Sequence, residues 1–167
     1  AIIVNSGNAN ACTGKKGIAD AYEMQALAAT KLGIESYLVG VASTGVIGEI
    51  MNMEPVVKGV EMLNPNNAVE SGIDFAQAIL TTDTVMKNTA YATVIDGKEV
   101  LVAGTAKGSG MIEPNMATML GFITTDANIE SDELQKALSD ITNVTFNAIT
   151  VDGDTSTNDT VVVMANG

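Results

Sequence analysis

The sequence predicts a mixed α/β fold, either α/β or α+β. Three observations carry this. Apolar runs of strand length are interleaved with stretches of helical periodicity along the 167 residues. Asp96-Gly97 stands between two β-rich runs, the strongest short hairpin signal. Hydrophobic residues make up 46% and charged residues 17%, a balance that suits one packed domain.

Residues 1–5 (AIIVN) form an apolar run of strand length. NSGNANACTG, residues 5–14, is rich in small residues and Asn and suits a strand-to-helix connection. Residues 18–32 carry Ala19, Tyr22, Ala26 and Ala29 at helical spacing, and Gly33 is a natural stop. Residues 36–42 (SYLVGVA) read as a buried strand. This strand runs into Ser43-Thr44-Gly45-Val46-Ile47-Gly48. A glycine turn there would point backbone N–H groups outward, either for an anion or oxyanion or as an ordinary turn. It matches neither the phosphate loop G-x-x-x-x-G-K-[ST] nor G-x-G-x-x-G.

Pro55 can open a short helix over residues 56–63, with Pro65 beyond its end. Residues 67–80 form a second helix, with Val69, Ile73, Ala76, Ile79 and Leu80 on one face. Thr81-Thr82-Asp83-Thr84 follows and suits a polar cap. Residues 89–95 and 98–106 are the strands joined at Asp96-Gly97. They deliver Lys107 to the stretch KGSGMIEPNMATMLGFITT, residues 107–125.

That stretch begins as a loop punctuated by Gly108, Gly110 and Pro114, then turns apolar over residues 116–125. Thr118 sits just inside the apolar part, behind Ala117. The layout suits a nucleophile that attacks its own preceding peptide bond, and equally a loop entering a core strand with Thr chosen for β propensity. The chain has no histidine, which removes Ser-His-Asp and Cys-His arrangements and histidine-bound zinc or iron. A threonine nucleophile then needs a carboxylate, a lysine or its own α-amine as base. An α-amine, with an ordinary pKa of roughly 7.7–8.0, is partly free base near neutrality.

After this stretch, Ser131 can cap a helix with Asp132 and Glu133 in its first turn, running through Leu134, Leu138 and Ile141 towards Phe146. A polar loop, residues 151–159, precedes a strand at 160–165. Asp152, Asp154 and Ser156 resemble the opening of a calcium loop. Thr157 and Val163 replace its Gly and Glu, so no metal is expected.

The segment K-G-S-G-M-I-x-P-N-M-A-T-M-L closely resembles the self-cleavage segment of the ornithine acetyltransferase family, the glutamate N-acetyltransferases of the arginine pathway. The segments at residues 5–14, 43–48, 81–83 and 152–159 resemble the same family. The resemblance implies stacked mixed β-sheets flanked by helices and a cut between Ala117 and Thr118. Thr118 becomes the nucleophile and contacts substrate, Thr44 and Gly45 form the oxyanion hole, and Thr81 and Lys107 bind substrate. It implies N-acetylornithine and glutamate as substrates, in a ping-pong cycle through an acetyl-enzyme ester. It implies no resident cofactor, although some relatives use acetyl-CoA as donor. It implies that the two cleaved chains stay partnered, that the protein is a homo-oligomer, and a cytoplasmic location. Family members run beyond both ends of the sequence and carry further site residues past Gly167, so the chain reads as an internal segment or a truncated relative. The alternatives are a self-cleaving aminopeptidase of related architecture and a catalytically incomplete fragment that only binds or assembles.

Charge and cysteine content bound the rest. With 8 basic and 20 acidic residues the net charge is −12, against nucleic acid and anionic membranes as partners. Cys12 is alone, so no intrachain disulfide forms. No apolar run approaches the roughly 18 residues of a membrane span.

Overall fold

The computed structural model describes residues 1–110 and 119–167. They form two compact units, Ala1–Thr81 and Thr82–Gly167. Both mix helix with sheet, so the molecule is of mixed α/β class with one sheet in each unit.

The first unit opens on β1 (Ile2–Asn8), α1 (Gly14–Leu32) and β2 (Gly40–Val46). The two strands are parallel, with Ile2 opposite Gly40 and Asn8 opposite Val46. A parallel pair needs a crossover, and α1 supplies it. Gly33 ends the helix in the left-handed conformation (φ 68°), and the Ile34 N–H returns to the Ala29 carbonyl at 3.0 Å. The buried face of α1 differs from the predicted one. Gly17, Asp20, Met24, Ala28 and Ala29 are buried, while Ala19 and Ala26 are exposed and Tyr22 is 68% exposed. The helix is apolar on more than one side, and packing selects the face carrying Met24, which removes more area from water than an alanine does. Met24 joins Ile3, Ala28, Ala29, Val39, Met51 and Val60 in the core.

Four further expectations change here. Residues 36–38 wind into a 3₁₀ turn closed by the Val39 N–H on the Ser36 carbonyl, rather than opening the strand. The strand begins at Gly40, where pairing with β1 begins, and continues through Ser43, Thr44 and Gly45. The expected glycine turn is therefore the end of a parallel strand. α2 (Met53–Met62) starts earlier than predicted, because the Asn52 side chain caps the Glu54 N–H at 3.1 Å, and Pro55 lies within its first turn. α3 (Val69–Ala78) buries Ala76, and Ile79 just beyond it, but leaves Val69 and Ile73 exposed.

The second unit is built on a four-stranded sheet of β3 (Lys87–Ile95), β4 (Lys98–Lys107), β5 (Leu120–Thr125) and β6 (Thr160–Ala165), in that spatial order. β3 pairs with β4 and β4 with β5 antiparallel, and β6 is parallel to β5. Asp96 and Gly97 both take positive φ (50° and 76°), the signature of the two-residue hairpin turn. α4 (Ser131–Val144) crosses from β5 to β6. Ser131 does not cap it. Glu130 holds the capping position without a side-chain bond, and Asp132 and Glu133 sit in the first turn as expected. The helix stops at Val144, and Phe146 begins a 3₁₀ turn. Pro114 and residues 116–118 of the predicted central strand lie outside the described residues. Among the described residues no helix is long and apolar enough to cross a membrane.

Candidate active-site elements

Thr44 and Gly45 lie at the carboxyl end of β2, where open α/β sheets commonly place ligands. Thr44 is 1% exposed, and its strand neighbour Ser43 is also buried. Gly45 has φ +130° and faces Gly7 across the pair. A Cβ at Gly45 would lie 2.2 Å from the Gly7 carbonyl carbon, so only glycine allows the two backbones to meet. Beyond them, the Ala9 N–H bonds the Val46 carbonyl at 2.9 Å and the Gly48 N–H bonds the Ala11 carbonyl at 3.0 Å. The Asn8 side-chain amide donates to the Glu49 carbonyl at 3.0 Å. Ser6, opposite Thr44, donates its hydroxyl to the Ala78 carbonyl at 2.6 Å. That bond joins the end of α3 to the strand pair, and the exposed Thr81 follows three residues on.

The second unit holds Lys107, the last residue of β4, opposite Leu120. Lys107 is 1% exposed. Burial lowers its pKa, the attraction of Asp83 and Asp159 works against that, and Lys87 adds a smaller lowering. Asp83 is not the helix cap that its position suggests. Its Oδ1 accepts the Gly108 N–H and the Lys87 ammonium, both at 2.8 Å, and its side chain is fully buried. The Ser109 hydroxyl reaches the Thr82 carbonyl at 3.5 Å. The T-T-D segment thus supports the first residues after Lys107.

A matching support stands at Met119. Asp159 Oδ1 accepts the Met119 N–H at 2.7 Å, and the Thr160 N–H donates to the Met119 carbonyl at 2.9 Å. Both backbone groups of Met119 are therefore held at the start of β6. Burial raises the Asp159 pKa, while the Met119 N–H and Lys107 act to lower it. The polar loop that resembles a calcium site ends in this backbone clamp. Ala117 and Thr118 themselves lie outside the described residues. Asp83 and Asp159 are the residues that sequence reasoning missed. Both sit in polar loops without periodicity, and their only sequence signal was membership of the T-T-D and D-G-D-T-S-T-N-D segments.

Comparison with known proteins places these elements in a family. The ArgJ family pattern matches residues 1–167. The arginine biosynthesis bifunctional proteins ArgJ of Bacillus licheniformis and of Bacillus subtilis are each 63% identical over 167 residues, the whole of this chain and 41% of theirs. The chain thus spans about two-fifths of the length of these relatives. The crystal structure of the ArgJ protein from Bacillus halodurans matches with a TM-score of 0.67 and 54% identity, over 70% of this chain and 61% of that one. A match along the full chain, joined to the same mixed α/β architecture in a solved relative, means that this chain belongs to the ArgJ family.

Proposed function

We propose that this chain carries the nucleophile segment of a self-processing, N-terminal-threonine acetyltransferase of arginine biosynthesis. The observation that supports it is at Gly108 and Met119, where carboxylates hold the backbone on both flanks of the segment containing Ala117-Thr118. Relatives 63% identical over the whole chain are named for arginine biosynthesis, which supports this reading of the pathway.

The Thr118 hydroxyl oxygen attacks the Ala117 carbonyl carbon. The Ala117–Thr118 C–N bond breaks, and the hydroxyl proton passes to the departing nitrogen. Water then hydrolyses the ester, leaving a carboxylate on Ala117 and a free hydroxyl and amine on Thr118. That amine serves as base for the same hydroxyl. The Thr118 hydroxyl oxygen attacks the acetyl carbonyl of N-acetylornithine, the amide C–N bond breaks and ornithine leaves as the amine carrying the hydroxyl proton; the amine of glutamate then attacks the acetyl ester, and its proton returns to the Thr118 oxygen as that leaves. Thr44 and Gly45 face the tetrahedral oxyanion, where one donor is typically worth about 10²–10³ in rate. Lys107 attracts the carboxylate of the amino-acid substrate, with Thr81 a further contact. The site operates in the cytoplasm, between two chains that remain associated after the cut, within a homo-oligomer.

The test is Thr118→Ala in the full-length protein, followed by intact mass and acetyl transfer. Both cleavage and transfer should vanish. Acetyl transfer surviving in that variant would remove the nucleophile assignment.

A further inference from the structure

β4 ends on Lys107, and its two neighbours do not end with it. Pairing with β5 reaches Lys107 itself, opposite Leu120. Pairing with β3 stops one residue earlier, at Ala106 opposite Lys87. Just beyond that point the Gly108 N–H is taken by Asp83 Oδ1 at 2.8 Å. That N–H belongs to the peptide unit joining Lys107 to Gly108, so the bond sets the direction in which the chain leaves the lysine. The carboxylate is itself fixed. Its side chain is fully buried, and the same oxygen accepts the ammonium of Lys87, the first residue of β3, also at 2.8 Å. A carboxylate acceptor paired with a cation makes the stronger kind of hydrogen bond. Asp83 thus ties the start of β3 to the end of β4, across 25 residues of chain. It also attracts the Lys107 ammonium more strongly than Asp159 does. Lys107 is 1% exposed, so its side chain has few other places to occupy once its backbone is set.

We propose that Asp83 is a positioning residue for Lys107: its carboxylate fixes the peptide unit that follows the lysine, so that the ammonium acts on the substrate carboxylate from one place. The inference rests on the reading of Lys107 as a substrate contact. The role of Asp83 is exerted through the backbone and needs no contact with substrate. Its contribution is an acceptor atom at a defined point beside the end of β4.

The test reads a ratio in the full-length protein. The kcat/KM for N-acetylornithine is divided by that for its α-carboxamide, which has the same shape without the charge. Both values come from one preparation, so any loss of folded or processed enzyme cancels, and a merely structural role lowers the two together. Asp83→Asn and Asp83→Ala remove the same charge, and with it the same attraction on Lys107. Only Asp83→Ala also removes the acceptor, so the difference between them reads position. Misplacement by about 1 Å can cost roughly 10²-fold in rate. The ratio should stay within about threefold of wild type in Asp83→Asn and fall at least about tenfold below it in Asp83→Ala. If Asp83→Ala does not fold, Asp83→Glu, which keeps the charge and moves the acceptor by one methylene, should lower the ratio at least about threefold. An Asp83→Ala ratio equal to that of Asp83→Asn overturns the inference, as does a wild-type ratio in Asp83→Glu where the alanine variant does not fold. Lys107→Met checks the underlying reading and should lower the ratio at least about thirtyfold. A wild-type ratio in Lys107→Met removes Lys107 as the carboxylate contact and this inference with it, a result distinct from the others.

Discussion

The two places that carry candidate site residues are held by opposite means. At the end of the β1–β2 pair the constraint is shape. Gly7 and Gly45 bring two backbones closer than any side chain permits, and neutral hydrogen bonds finish the turn. Around Lys107 the constraint is charge, with a buried ammonium among Asp83, Asp159 and Lys87. A contact set by shape is indifferent to pH and salt and intolerant of a methyl group. A contact set by charge tolerates small changes of volume but answers to protonation. Substitutions and pH should therefore separate the two.

The largest effect should come from Gly45→Ala. The added carbon meets the Gly7 backbone, and the positive φ adds strain, so overpacking and strain together should cost about 4 kcal/mol. The urea midpoint checks this, and a midpoint equal to wild type would show that the close approach is not kept in solution. Lys107→Met should follow, at about 3 kcal/mol, because it takes the buried cation from beside Asp159 and leaves Asp83 with Lys87 alone. A Lys107→Met variant as stable as wild type would mean that the acids do not depend on that charge.

The pH response should be smaller and confined to the second unit. The folded Lys107 pKa lies below the ordinary 10.5, so between the two values the unfolded chain binds more protons. Stability from this group therefore rises with pH up to 10.5, and Lys107→Met should flatten that limb. Asp159 has the opposite sign. Its folded pKa lies above 3.8, the folded chain holds the extra proton in that interval, and its contribution falls as pH rises. Asp159→Asn should remove that fall. Denaturant melts across pH read both limbs, and a slope unchanged in either variant would assign it to other groups. The smallest effect belongs to Lys87→Ala. Lys87 is half exposed, so its pair with Asp83 should be worth no more than about 1 kcal/mol.

The parts of the fold legible in the sequence are those fixed by local stereochemistry. Asp96-Gly97 announces its hairpin because both residues tolerate positive φ, and Gly33 ends α1 for the same reason. The parts that were not legible depend on partners distant in sequence. The buried face of α1 was decided by what Met24 packs against, and an alanine-rich helix gives periodicity little to discriminate. Ser43 to Val46 became strand because β1 lies alongside, with Gly7 supplying the space that makes Gly45 necessary. Within the site elements, Lys107, Thr44 and Gly45 were named from family motifs rather than from any spacing. Asp83 and Asp159 were passed over because a carboxylate in a polar loop has no periodic signature, and its role depends on a backbone N–H 25 or 40 residues away.

The pairing of β4 with β5 bears on what a cut in this chain does. Lys107 to Val102 lie before the Ala117–Thr118 bond, and Leu120 to Thr125 lie after it, yet the two runs are hydrogen-bonded neighbours through six residue pairs. Severing that bond would therefore leave this pairing in place. If the proposed cut occurs, the product is a split protein, two polypeptides that would share one sheet and separate only when that sheet unfolds. A denaturing gel should then show two bands where a native gel shows one species.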